Sequence, residues 1–174
     1  MLGTSKEIKY PGLNILPPGV ERHIVNGGGL TAFYIFPDDE IEIINNDGNQ
    51  ICEIICFNKD GKSDVGILNL KSNNNKNFIR DILSKKDESI LATNYQLKKL
   101  NLNISNSKSS IVFDIDSQIG EKIKLKSKDN CFAIFAAPGQ DMDVTKQNPP
   151  TDLIIYIKRA NTVSYTHLTL PTTP

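Results

Sequence analysis

No stretch of this sequence approaches the roughly 18 consecutive apolar residues of a membrane-spanning helix. The opening "MLGTSKEIKYPG" also lacks the apolar centre of a secretory signal. Charge of one sign is not in excess, since Lys plus Arg and Asp plus Glu total 20 each. That balance removes the electrostatic argument for nucleic acid or an anionic membrane as a partner. Cysteine is scarce, and three of them, an odd number, argue against a disulfide framework. A reduced, cytoplasmic setting is therefore expected. Histidine is scarcer still: His23 is the only one outside the C-terminal tail. What remains is 174 residues, the length of one domain with enough chain to bury a core.

Strand patterns dominate. "LTAFYIF" (Leu30 to Phe36) is aromatic and β-prone, and Pro37 and Asp38 end it with turn chemistry. In "EIEII" Glu40 and Glu42 alternate with Ile41 and Ile43 at period two. "NNDGN" is a strong turn signal, and "ICEIICF" returns as a strand, so these segments are expected to form a meander. Phe78, Ile79, Ile82 and Leu83 then fall at helical spacing. "NYQLKKLNL" predicts a second short helix with Tyr95, Leu97, Leu100 and Leu102 as its apolar positions. "SSIVFDI", "EKIKLK", "CFAIFAA" and "TDLIIYIK" complete the strands. The fold class is mostly β: an antiparallel sandwich or barrel built from hairpins, with two short helices inserted. Two hairpins, "EIEIINNDGNQICEIICF" and "KIKLKSKDNCFAIFAA", look alike, which leaves internal duplication and chance equally open.

The expected organisation is an N-terminal arm over 1–20, a β domain over 21–161 and a tail over 162–174. That tail carries no strand or helix period, and "VSYTHLTLPTTP" closely resembles translated read-through of a sequencing adapter. The expectation is that the tail is foreign to the domain and that the natural chain continued past Asn161.

Few residues offer chemistry. Cys52 and Cys56 share a strand face, but four residues span about 13 Å. Two thiolates on one zinc need sulfurs within about 4 Å, given bonds of about 2.3 Å. They are read as buried small hydrophobes, as is Cys131, and no metal site is expected. A catalytic histidine needs an oriented partner, which Glu21 and Arg22, so near in sequence, are not expected to give His23. A solvated histidine is the expectation. "NGGGL" lacks the Lys and Ser or Thr of a phosphate loop. Glu53 is a carboxylate among Ile51, Ile55 and Phe57, costly unless paired or near solvent. Either it lines a ligand pocket between sheets, with Gln50 and Asn58 near the strand ends, or it guards a sheet edge. Asp141 and Asp143 in "PGQDMDV" fall on a loop after a strand. No catalytic residue is assigned.

The run "GGGLTAFYIFPDDEIEIINNDGNQICEIICFN" resembles the opening of the urea-carboxylase-associated domain family, a domain of unknown function. Ala32, Phe33, Asp39, Ile43, Gly48, Gln50, Glu53, Phe57 and Asn58 match its pattern in order, and "IGEKIKLKSKDNCFAIFAAPGQDM" looks like its closing segment. Some members are metal-dependent enzymes acting on carboxyguanidine, with a central His/Cys cluster and a Cys before the closing loop. This chain departs there: "ATNYQLKK" has no His or Cys, and Ala137 precedes Pro138. Other members are similar to N-terminal extensions of folate-dependent aminomethyltransferases of the glycine-cleavage T-protein kind. The resemblance thus implies a non-catalytic accessory domain without a cofactor of its own. Its partner would be a missing C-terminal folate-binding domain that uses tetrahydrofolate. The alternatives are a stand-alone hydrolase or deiminase of guanidine- or urea-like compounds, or a small-molecule-binding β module using Gln50, Glu53 and Asn58.

Overall fold

The computed structural model describes residues 16–73, 77–85, 87–139 and 149–161. Among these, eight strands form two four-stranded antiparallel sheets. The strands are β1 (Val20–Val25), β2 (Leu30–Ile35), β3 (Glu40–Asn45), β4 (Cys52–Asn58), β5 (Ser109–Phe113), β6 (Glu121–Lys126), β7 (Cys131–Ala136) and β8 (Leu153–Lys158). Sheet I has the order β1-β8-β3-β6 and sheet II the order β2-β7-β4-β5. Two helices, α1 (Phe78–Leu83) and α2 (Glu88–Lys99), lie between β4 and β5 in the chain. This is the expected sandwich with two short inserted helices. Its strand order is that of a jelly roll, in which the chain folds back so that β1 meets β8, β2 meets β7, β3 meets β6 and β4 meets β5.

That order corrects the expected meander and hairpins. β3 and β4 do not pair: β3 lies between β8 and β6, whereas β4 lies between β7 and β5. β6 and β7 are likewise in opposite sheets. The turn chemistry was read correctly, because Gly48 and Asn49 both take positive φ, 73° and 56°. The connection from Asn45 to Cys52 is, however, long enough to cross the roughly 10 Å between stacked sheets. Each hairpin-like segment is therefore an arch from sheet I to sheet II. The two arches lie side by side and antiparallel, β3 against β6 and β4 against β7.

The core between the sheets comes from alternate residues of both inner faces. Ile41 and Ile43 of β3, Ile54 and Cys56 of β4, Phe135 of β7 and Ile155 and Ile157 of β8 are all buried there. Each such aliphatic side chain contributes about 1.5–3 kcal/mol by leaving water. A second apolar layer sits on the outer face of sheet II. Ile55, Phe57, Phe132 and Ile134 are covered by Ile79 and Ile82 of α1 and Ile90 and Leu97 of α2. This explains why β4 and β7 are buried along almost their whole length, with no polar face. α2 begins earlier than expected, at Glu88. Its inward positions are Ile90, Thr93 and Leu97, and Tyr95 points out with 60% exposure.

Candidate functional site

Of the three residues singled out as ligand-binding, β4 carries Glu53 and Asn58 while Gln50 precedes it, and the structure places them apart. Gln50, just before β4, is buried and works as a latch. Its Nε2 donates to the carbonyls of Ile51 (2.8 Å) and Pro138 (2.9 Å), and its Oε1 accepts from the Thr151 backbone (2.8 Å). The β3–β4 arch is thereby tied to the end of β7 and the approach to β8. Beside it, Asn45 donates to the Gln50 carbonyl and to the Ser117 hydroxyl.

Glu53 faces the helix layer, not the space between the sheets. Its two oxygens accept the backbone N–H groups of Phe78 (3.0 Å) and Ile79 (2.9 Å), the first turn of α1. The small Ala136 stands opposite it on β7. With Asn77 accepting from Arg80, the start of the helix finds side-chain acceptors for donors that a helix cannot satisfy itself. A carboxylate here also complements the positive end of the helix dipole.

Asn58, at the far end of β4, accepts from the backbones of Asp60 and Lys62 and so shapes the turn that follows. Unlike the other two it borders a cavity of about 350 Å³, walled by Tyr34, Phe36, Phe57, Leu102 and Phe132. Asp60 lies at the same cavity.

Next to this cavity is a charged cluster that sequence reasoning missed. Arg159, directly after β8, is buried, and its NH1 donates to Asp39 (2.8 Å) and to the Tyr34 carbonyl (2.7 Å). Its Nε donates to Glu21, and its guanidinium lies 5.6 Å from the Phe36 ring centre. Asp39, 1% exposed, accepts in addition from the backbones of Phe36 and Ala160. Burial alone would lower the Arg159 value, but the hydrogen bonds to Glu21 and Asp39 outweigh it and hold it raised. No local pattern announces this cluster, because Arg159 meets partners 138 and 120 residues away in the chain.

His23 belongs to the same network, which corrects the expectation of an unpartnered histidine. Its Nε2 is 2.9 Å from Glu21, and its ring lies 4.3 Å from that of Phe33. On a strand, residues two apart project to the same side, so Glu21 reaches His23 while the adjacent Arg22 does not. The cysteines are free and buried. Burial, helped by the charge of Glu53, pushes the Cys52 thiol up; a hydrogen bond to Cys131 and then burial push up that of Cys56. Among the described residues no three His, Cys, Asp or Glu side chains stand together as a metal-ligand set. Asp141 and Asp143 lie outside the described residues. No helix among the described residues is long and apolar enough to cross a membrane.

No protein-family model matches the chain. A curated protein, the trimethylamine-oxide aldolase of Ruegeria pomeroyi (strain ATCC 700808 / DSM 15171 / DSS-3), is 30% identical over 164 residues. The alignment takes in 94% of this chain and 21% of that protein, so the chain spans about a fifth of its relative's length. A solved structure of a DUF1989 family protein from Silicibacter pomeroyi DSS-3 overlaps with a TM-score of 0.45 at 10% identity, covering 82% of this chain and 80% of that one.

Proposed function

We propose that this chain is a non-catalytic accessory domain of a longer enzyme of methylated-amine metabolism, of the folate-dependent aminomethyltransferase kind. The observation that carries this reading is the similarity of 94% of the chain to a fifth of a trimethylamine-oxide aldolase. The domain is thus of a type that recurs inside a much larger protein. Tetrahydrofolate and the chemistry of methyl or one-carbon transfer would belong to the rest of that protein. The polar groups of this domain support a structural part: Glu53 caps a helix, Gln50 latches an arch, and Arg159 holds Glu21 and Asp39. A second reading, a small-molecule-binding module, is favoured by the aromatic-walled cavity beside Asn58.

The test compares the isolated chain with the protein encoded by its full reading frame. Each is assayed with trimethylamine N-oxide and other methylated amines, with and without tetrahydrofolate. The expected result is turnover by the longer protein and none by the chain. Turnover by the chain alone, of a methylated amine or of carboxyguanidine, refutes the accessory role. Saturable binding of a methylated amine by the chain, lost on Asn58→Ala with folding intact, supports the second reading.

A further inference from the structure

The two sheets treat their outer faces differently. That of sheet II is roofed by α1 and α2. That of sheet I has no covering element among the described residues, yet it is not a plain solvated surface. The strand register sets its side chains in three rows. Ile24, Ile154 and Ile44 stand side by side and end on Lys122. Arg22, Tyr156, Glu42 and Lys124 form the next row. Val20, Lys158, Glu40 and Lys126 form the third. Ile24 is 44% exposed at the outermost strand. A groove of about 730 Å³ runs beside the second and third rows, with Leu70 and Ile123 at its border.

The charge of this face is lopsided although the chain as a whole is balanced. Arg22, Lys122, Lys124, Lys126 and Lys158 stand against Glu40 and Glu42 of the strands and Asp38 just before β3, which lies 3.9 Å from Lys126. Glu42 pairs with Lys124 at 3.8 Å, and Glu40 stands between Lys126 and Lys158 in the register, so cations remain in excess on this face. We propose that the outer face of sheet I is a docking surface for a protein unit that presents acidic side chains beside an apolar strip. An apolar row beside a basic field asks for that chemistry, since aliphatic contact supplies affinity and opposite charge supplies orientation. A second copy of this chain would bring the same positive excess and be repelled. A phosphate lattice, in lipid or nucleic acid, would meet Glu40 and Glu42 in the middle strand of the face. The occupant is therefore placed in the remainder of the longer protein, which makes this inference rest on the accessory-domain reading.

The experiment is a lysine footprint with an acetylating reagent, applied to the isolated chain and to the longer protein. In the chain Lys124, 82% exposed at its side chain, is freely reactive. In the longer protein its reactivity is expected to fall to about a fifth or less, as an interface excludes water, while exposed Lys62 on the opposite sheet's turn is unchanged. Charge reversal at Lys124 and Lys126 in the longer protein is expected to restore the reactivity of Lys122 without altering the folded state seen by circular dichroism. A longer protein that is active on methylated amines yet leaves Lys124 fully reactive overturns the docking and spares the functional reading. One that protects Lys124 but has no such activity does the reverse. Salt-sensitive pelleting of the chain with phosphatidylserine vesicles, at a level matching the footprint, also overturns the proposal.

Discussion

Replacing Glu53 by Ala removes both acceptors that close the first turn of α1. The carboxylate has no exposure, and the Ile79 N–H that it satisfies is buried while that of Phe78 is partly so. A buried donor left without a partner costs about 1–3 kcal/mol. Counting the Ile79 donor in full and the Phe78 donor at the low end, the expected loss is about 2–4 kcal/mol. Against a total stability of about 5–15 kcal/mol that is a large fraction. Glu53→Gln keeps the shape and one acceptor oxygen and is expected to lose about half as much. The assay is urea denaturation of the wild type and both variants, with amide exchange at Phe78 and Ile79. The helix is expected to open locally before the sandwich melts, because Glu53 joins the backbone of its first turn directly to β4. A Glu53→Ala variant within about 0.5 kcal/mol of wild type, with unchanged protection at both amides, would refute the capping role and return Glu53 to the list of ligand-binding candidates.

Arg159→Met is expected to cost about 3–5 kcal/mol in urea denaturation, because it strands the carboxylates of Glu21 and Asp39, and Arg159→Lys is expected to recover only part since it cannot fork to both. A loss below about 1 kcal/mol for Arg159→Met would show that water replaces the guanidinium freely. Gly48→Ala is expected to destabilise by about 1–3 kcal/mol, since φ is 73° there and an added Cβ would come within 2.9 Å of the Ile119 nitrogen; an unchanged melting temperature would mean that the arch relaxes. The raised values of Cys52 and Cys56 keep their protons in the folded state after the unfolded chain has lost them. Their contribution is present below the ordinary thiol value of 9.0 and lost as pH rises above it. Stability is therefore expected to fall above about pH 9, with a slope that Cys52→Ala and Cys56→Ala reduce; an unaltered slope would place the titration elsewhere.

How much of this could be seen in the chain beforehand depends on the range of each interaction. Period-two alternation places Ile41 and Ile43 on a buried face because burial follows the backbone's own geometry. Helical spacing places Ile79 and Ile82 for the same reason. β1 passed unnoticed because "VERHIV" spends its inward positions on Glu21 and His23, which reach Arg159 and Phe33 rather than aliphatic neighbours. Glu53 stands out in the sequence as a carboxylate in an apolar strand, with Gln50 and Asn58 near the strand's ends. Their partners, however, are backbone groups of Thr151, Phe78 and Asp60, which no spacing on β4 reveals.

Pairing is the step at which local pattern stops. Alternation tells which face of a strand is buried and says nothing about its neighbour. A tight two-residue turn would have forced β3 and β4 into one ladder, whereas the six residues between Asn45 and Cys52 leave both courses open. What decides between them lies far along the chain. β8 inserts beside β3 with Ile155 and Ile157 at the inner face, and β7 inserts beside β4 with Ile134 beneath the helices. Once those two strands are in place, β3 and β4 can no longer face each other within a sheet, and the arch must cross. The same crossing leaves one outer face roofed by α1 and α2 and the other without a covering element among the described residues. The likeness of the arches in sequence is then a likeness of duty: each supplies one mixed strand to sheet I and one strand buried along almost its whole length to sheet II.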